Sequence, residues 1–126
     1  MSRDMIMTPK APSAIGTYSQ AIKFDTTIYI SGQIPLDPVT GEIVQGGIEA
    51  EIKQVFSNLN AIAEAAGTSL SNTLKLTIYL KNLENFSAIN KHMAEIFTTP
   101  YPARAALEVS ALPKNANVEA DAIVAM

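Results

Sequence analysis

The stretch TLKLTIYLK, residues 73 to 81, places Leu74, Leu76, Ile78 and Leu80 on one face and Thr73, Lys75, Thr77, Tyr79 and Lys81 on the other. Strict alternation is the period of a strand, here with one aliphatic side. It decides the fold because the segments on either side have a different period. Residues 47 to 66 carry Ile48, Ile52, Val55, Phe56, Leu59, Ile62, Ala63 and Ala66 at spacings of three and four, one face of a helix, and Gly67 follows where a C-cap glycine belongs. Residues 83 to 97 repeat the helical spacing through Phe86, Ile89, Met93, Ile96 and Phe97, until the prolines of TTPYP stop the helix. A strand therefore lies between two helices.

Working outward, residues 19 to 24 and 26 to 31 read as two short strands around Asp25. The following GQIPLDPVTGE holds Pro35, Pro38 and Gly41 and is the longest loop. PARAALEVSALP, residues 102 to 113, reads as a strand, and NVEADAIVAM closes the chain with Val118, Ala120, Ala122 and Val124 on one face and Glu119 and Asp121 on the other. The N-terminal dozen residues read as loose. The order ββαβαββ predicts an α+β domain, a mixed sheet with two helices packed on one face. Parity then puts Tyr29, Ser31, Lys75, Thr77, Tyr79, Arg104, Glu108, Ser110, Glu119 and Asp121 on the opposite face. Two readings of that face stay open: a solvated polar surface, or a subunit interface in which small and hydroxyl side chains pack closely.

A chain of 126 residues fits a single domain, 1–126, able to bury a core without disulfides or metal. Nine Lys and Arg against twelve Asp and Glu leave no basic footprint, so nucleic acid and anionic membrane are not expected partners. There is no cysteine, which removes thiolate catalysis and Cys-based metal sites. MSRDMIMTPKAPS lacks the apolar region of a signal peptide, and no apolar run approaches the ~20 residues of a bilayer span, so a soluble, cytoplasmic protein is expected.

Arg104 sits among Ala103, Ala105 and Ala106. A guanidinium carries five donors and a permanent charge, so an enclosed one implies a carboxylate. From the residues alone this is either an internal ion pair with Glu108 or Glu119, or a ligand held in the space the alanines leave. His92, the sole histidine, falls off the apolar stripe of its helix and reads as solvent-exposed rather than catalytic. No spacing suits a metal site, and no glycine-rich phosphate loop is present. No metal and no cofactor are expected.

The segments IGTYSQAI (15 to 22), ISGQIPLDPVTGEIV (30 to 44), EAAGTSL (64 to 70), YLKNLENFSAIN (79 to 90) and YPARAALEVSALPKNANVEADAI (101 to 123) together resemble the Rid, or YjgF-like, family of reactive intermediate deaminases, in particular its RidA subgroup. The resemblance is collinear from about Ala14 to Ile123. It implies chorismate-mutase-like subunits in a homotrimer, sheets forming an inner barrel, and clefts between subunits that hold small carboxylate ligands. It also implies hydrolysis of 2-imino acids such as 2-iminobutanoate and 2-iminopropanoate to 2-oxo acids and ammonia.

Carried over by position, the family's arginine falls on Arg104, its tyrosine on Tyr18, its asparagine on Asn90 and its last-strand acid on Glu119. The resemblance makes Arg104 the carboxylate anchor, Glu119 the group that positions water, and Tyr18, Asn90 and Ala106 further pocket residues. Thr17 stands where the family usually has proline, and Ala106 where RidA members often carry cysteine, so substrate preference is what these departures touch. Two other functions fit the same anchor: a non-catalytic carboxylate-binding regulatory trimer and, against the acidic composition, an endoribonuclease.

Overall fold

The computed structural model describes residues 2 to 126. It contains six strands, Asp4–Ile6 (β1), Ala21–Phe24 (β2), Thr27–Gln33 (β3), Thr73–Leu80 (β4), Ala103–Glu108 (β5) and Val118–Ala125 (β6), with helices Gly47–Ala65 (α1) and Phe86–Ile96 (α2). The strands form one sheet in the order β1-β2-β3-β6-β4-β5. All pairs are antiparallel except β4 with β5, and α2 provides the crossover that a parallel pair requires. The α+β architecture with both helices on one face agrees with the sequence.

The apolar faces meet between the layers. Ile28 and Ile30 of β3, Leu76, Ile78 and Leu80 of β4, and Val118, Ala120, Ala122 and Val124 of β6 are buried against Ile52, Val55, Leu59 and Ile62 of α1 and Ile89 and Met93 of α2. Each large aliphatic side chain buried this way contributes roughly 1.5–3 kcal/mol. Helix α1 ends as its sequence indicates: Gly67 adopts φ +91, its N–H donates to the Glu64 carbonyl and that of Thr68 to the Ala63 carbonyl, a Schellman closure that satisfies the last carbonyls.

Four expectations need correction. The N-terminal dozen is not uniformly loose, since β1 pairs with β2. Leu74 does not share the buried side of β4: a register shift between Thr73 and Lys75 in the pairing with β6 turns it outward, 51% exposed, and buries Thr73, whose hydroxyl bonds to the Leu70 carbonyl at 2.5 Å. Arg104 and Glu108 do not lie on the open face. Arg104 pairs with Leu76 and Glu108 with Leu80, so both stand on the helix side, and Ala103, Ala105 and Leu107 occupy the open one. Finally, the His92 side chain is only 13% exposed; its ring packs 5.1 Å from that of Phe56.

Buried polar side chains fasten the loops to this frame. Asn58 of α1 donates from Nδ2 to the carbonyls of Leu36 (3.0 Å) and Ile34 (3.4 Å), fixing the base of the long loop. Glu51 accepts from the Asn117 backbone and side-chain amides at 2.9 and 2.6 Å, fixing the entry to β6. Burial without such partners would cost ~1–3 kcal/mol per group.

Candidate active site

Two groups of candidate residues emerge, one on each face of the sheet. The first surrounds Glu119. Along β6, Glu119 and Asp121 point to the open face, opposite Tyr79 and Thr77 of β4. Beside Glu119 runs β3, where the pairing with β6 shifts register between Ile30 and Gln33. Gly32 falls in that irregular stretch, and a Cβ there would lie 2.3 Å from Glu119 Oε2. Only glycine lets the carboxylate lie against this backbone. Burial, and secondarily the Asp121 charge, push the Glu119 carboxyl above its ordinary range. Asp121 is itself engaged by the Tyr79 hydroxyl, which donates to Oδ2 at 2.9 Å.

The cavity in front of Glu119 has a volume of about 760 Å³ and is open to solvent on one side. Tyr18, Ser31 and Gly32 line it together with Glu119; Ile15, Ile34, Leu36, Pro38 and Val39 supply apolar wall. One side chain builds the N-terminal part of that wall. Gln20, 3% exposed, accepts from the Thr8 N–H at 2.7 Å and donates to the carbonyls of Thr8 (3.1 Å) and Pro12 (2.8 Å). Ser31 Oγ donates to the Ser19 carbonyl at 2.6 Å. These bonds hold the segment that presents Tyr18, which is half exposed at the cavity.

The second group surrounds Arg104, on the helix side of the edge strand β5. Its Nη1 donates to Asn90 Oδ1 at 2.5 Å and lies 3.5 Å from Met93 Sδ, and the guanidinium carbon stands 4.7 Å from the centre of the Phe86 ring. Phe86, Asn90 and Met93 are spaced by four and three on α2, one helical face. The hollow of about 430 Å³ here is lined by Asn90, Met93, Ala94, Tyr101, Pro102 and Arg104. Ala106, two residues along β5 and paired with Ile78, is half-buried against the core.

Among the described residues the ion pairs are Lys91 with Glu49 and His92 with Glu95. Arg104 pairs with neither Glu108 nor Glu119, so the internal ion-pair reading does not hold within the chain. Glu108 instead accepts from the Leu83 N–H at 3.0 Å. The structure thus bonds Asn90 to Arg104 and puts Tyr18 and Glu119 on the wall of one cavity, with Arg104 and Glu119 on opposite sides of the sheet. Gln20 and Gly32 were not singled out by the sequence reading, although both lie in segments quoted for the resemblance, TYSQ and SGQ. A polar residue breaking an apolar strand entry is the signal that could have found Gln20.

This two-layer α+β architecture is that of the YjgF-type proteins. The family model described as Endoribonuclease L-PSP matches residues 8–126, and the chain belongs to this YjgF/Rid family. It is 50% identical over 123 residues to a RutC family protein of Pyrococcus abyssi, covering 98% of this chain and 97% of that one. It is 48% identical over 121 residues to the 2-iminobutanoate/2-iminopropanoate deaminase of Capra hircus, covering 96% and 88%. The crystal structure of RidA from the Antarctic bacterium Psychrobacter superposes with a TM-score of 0.94 at 47% identity, over 98% of this chain and all of that one (100%).

Proposed function

We infer that the protein hydrolyses short 2-imino acids to 2-oxo acids and ammonia, as a homotrimer whose pocket forms where the Arg104 side of one subunit meets the Glu119 cavity of the next. The observation that carries this is the placement of the two half-sites on opposite faces of one sheet, with the open face uncovered within the chain. Neither half can do the chemistry alone. Trimerisation with sheets facing inward as a barrel would cover Tyr29, Lys75, Ala103, Ala105 and Leu107 and could bring the halves together.

The chemistry follows from the side chains. Asn90 occupies one guanidinium N–H of Arg104 and leaves others for a two-point contact with the substrate carboxylate, beside Ala106. That contact fixes the imine carbon before Glu119 and Tyr18. Water adds to the imine carbon while its proton passes by way of Glu119 to the nitrogen, giving a carbinolamine; Glu119 then takes the hydroxyl proton and hands it to the amine as the C–N bond breaks, so that ammonia and the C=O of a 2-oxo acid leave. A carboxyl with raised pKa suits both transfers, and general acid–base help of ~10²–10⁴-fold suffices for a reaction that proceeds readily unaided. The chemistry calls on no cofactor or metal.

The test generates 2-iminobutanoate in situ from threonine with a dehydratase and follows imine loss with and without the protein. Faster loss is expected. Binding of 2-oxobutanoate without any acceleration would instead favour a regulatory carboxylate-binding trimer in the cytoplasm. The endoribonuclease named in the family description has a less suitable surface here, with a net charge of -3.

A further inference from the structure

We propose that Lys114 is a specificity-determining residue, latching the loop at residues 37 to 41 as the far wall of the Glu119 cavity and so limiting the aliphatic side chain an imino acid can carry. The proposal rests on the imine-hydrolase reading above. Lys114 and Asn115 are consecutive non-glycine residues with left-handed backbones, φ 55 and 58, a region L-residues avoid. Lys81 Nζ donates to Asn115 Oδ1 and holds the second of them. In this conformation Lys114 Nζ reaches the Gly41 carbonyl at 3.2 Å, across 73 positions of sequence.

The loop it reaches is internally braced. Asp37 Oδ1 accepts from the N–H groups of Val39 (2.8 Å) and Thr40 (3.2 Å), the Gly41 N–H donates to the Asp37 carbonyl (2.8 Å), and Leu36 bridges Ile43. It therefore moves as a unit. Asn58 fastens its base, and among the described residues Lys114 makes the only hydrogen bond from outside to its tip. Pro38, Val39, Gly41 and Lys114 all line the cavity that contains Glu119, and Lys114 is its only cation. The ammonium is directed at a carbonyl of the wall, which makes it a fastening for that wall. A wall fixed at base and tip selects by size; a wall fixed only at its base yields to a larger substrate.

The experiment compares wild type, Lys114→Met and Lys114→Arg on the four-carbon unbranched 2-iminobutanoate and the branched six-carbon imine of leucine, both made in situ by an amino-acid oxidase. Backbone ¹⁵N order parameters of residues 38 to 41 are measured on the same three proteins. Lys114→Met should raise the kcat/KM ratio of the leucine imine over 2-iminobutanoate by at least ~5-fold, within the discrimination a hydrophobic pocket gives per methylene. It should also lower the order parameters, and Lys114→Arg, which keeps a donor, should restore both. An equal change for both substrates, or a ratio and order parameters left as in wild type, overturns the latch. If the wild type turns over neither imine, the hydrolase reading fails separately. The same ratio is then read as affinity for the two corresponding 2-oxo acids, where an unchanged ratio again overturns the latch.

Discussion

Arg104 and Glu119 flank the same strand from opposite faces: Arg104 pairs across β4 with Leu76 on the helix side, and Glu119 pairs with Tyr79 on the open side. In the proposed mechanism, a substrate held by Arg104 is out of reach of Glu119 within a single chain. Shared sites allow complementation. Arg104→Ala and Glu119→Gln proteins should each be inactive alone, yet trimers reassembled from a mixture should regain activity, because some interfaces pair an intact Arg104 with an intact Glu119. Light scattering should show three times 13.5 kDa for every preparation. Mixed trimers with no activity above either parent would place both residues of a working site in one chain.

Arg104→Lys keeps the charge and loses the planar fork, so the two-point grip on a carboxylate goes with it. The bond to Asn90 and the stacking over Phe86 would weaken as well. A loss of about 2 kcal/mol or more corresponds to at least a ~30-fold fall in kcat/KM. Steady-state kinetics on 2-iminobutanoate measure it, and turnover near wild type would remove the arginine from substrate binding.

Glu119→Gln should lower kcat by about 10²-fold while leaving affinity for 2-oxobutanoate nearly unchanged, since the proton acceptor is lost and the anchor kept. It carries a stability signature too. Burial raises the folded-state pKa of Glu119 above the unfolded value, so the native state binds more protons between the two. Stability then falls as pH rises through that window, and the penalty is complete above it. The variant should melt higher than wild type at pH 8, with the difference vanishing below about pH 4. A lower melting temperature at pH 8 would mean that the arginine brought to the shared cleft comes close enough to Glu119 to outweigh its burial.

His92 should show the opposite sign. Burial against Phe56, with Lys53 nearby and partly offset by Glu95, lowers its folded-state pKa. The unfolded chain therefore takes up a proton first, near pH 6.5, and stability falls as pH drops from there through the lowered folded value. Urea midpoints at pH 7.5 and 5.5 should separate more for wild type than for His92→Gln. Equal separations would show that the ring is not desolvated.

Both helices, β4 and the last strand were legible because each buries a long apolar face with a clear period. The face of β5 was not: in ARAALE alanine suits either side of a sheet, so nothing but the register with β4 decides where Arg104 points. The bulge at Thr73 and Lys75 broke an alternation that looked regular over nine residues. Three residues of β1 were too few to carry a pattern. His92 was misplaced because an imidazole flanking an apolar stripe can still fill a groove between helices. At the candidate site, residue types were readable, whereas their division between two faces required the sheet pairing.

One amide ties the N-terminal arm to the cavity wall. Gln20 Nε2 faces the Thr8, Ala11 and Pro12 carbonyl oxygens at 3.1, 3.4 and 2.8 Å. Hydrolysis of that amide would replace the donor with a negatively charged oxygen facing three others. The arm at residues 8 to 12 would be driven off, taking Pro12 and Ser13 from the cavity wall. Because Gln20 is 3% exposed, the water that hydrolysis needs is largely shut out. The burial that shapes the pocket also preserves it, so the shelf life of the folded protein should follow how often this arm opens.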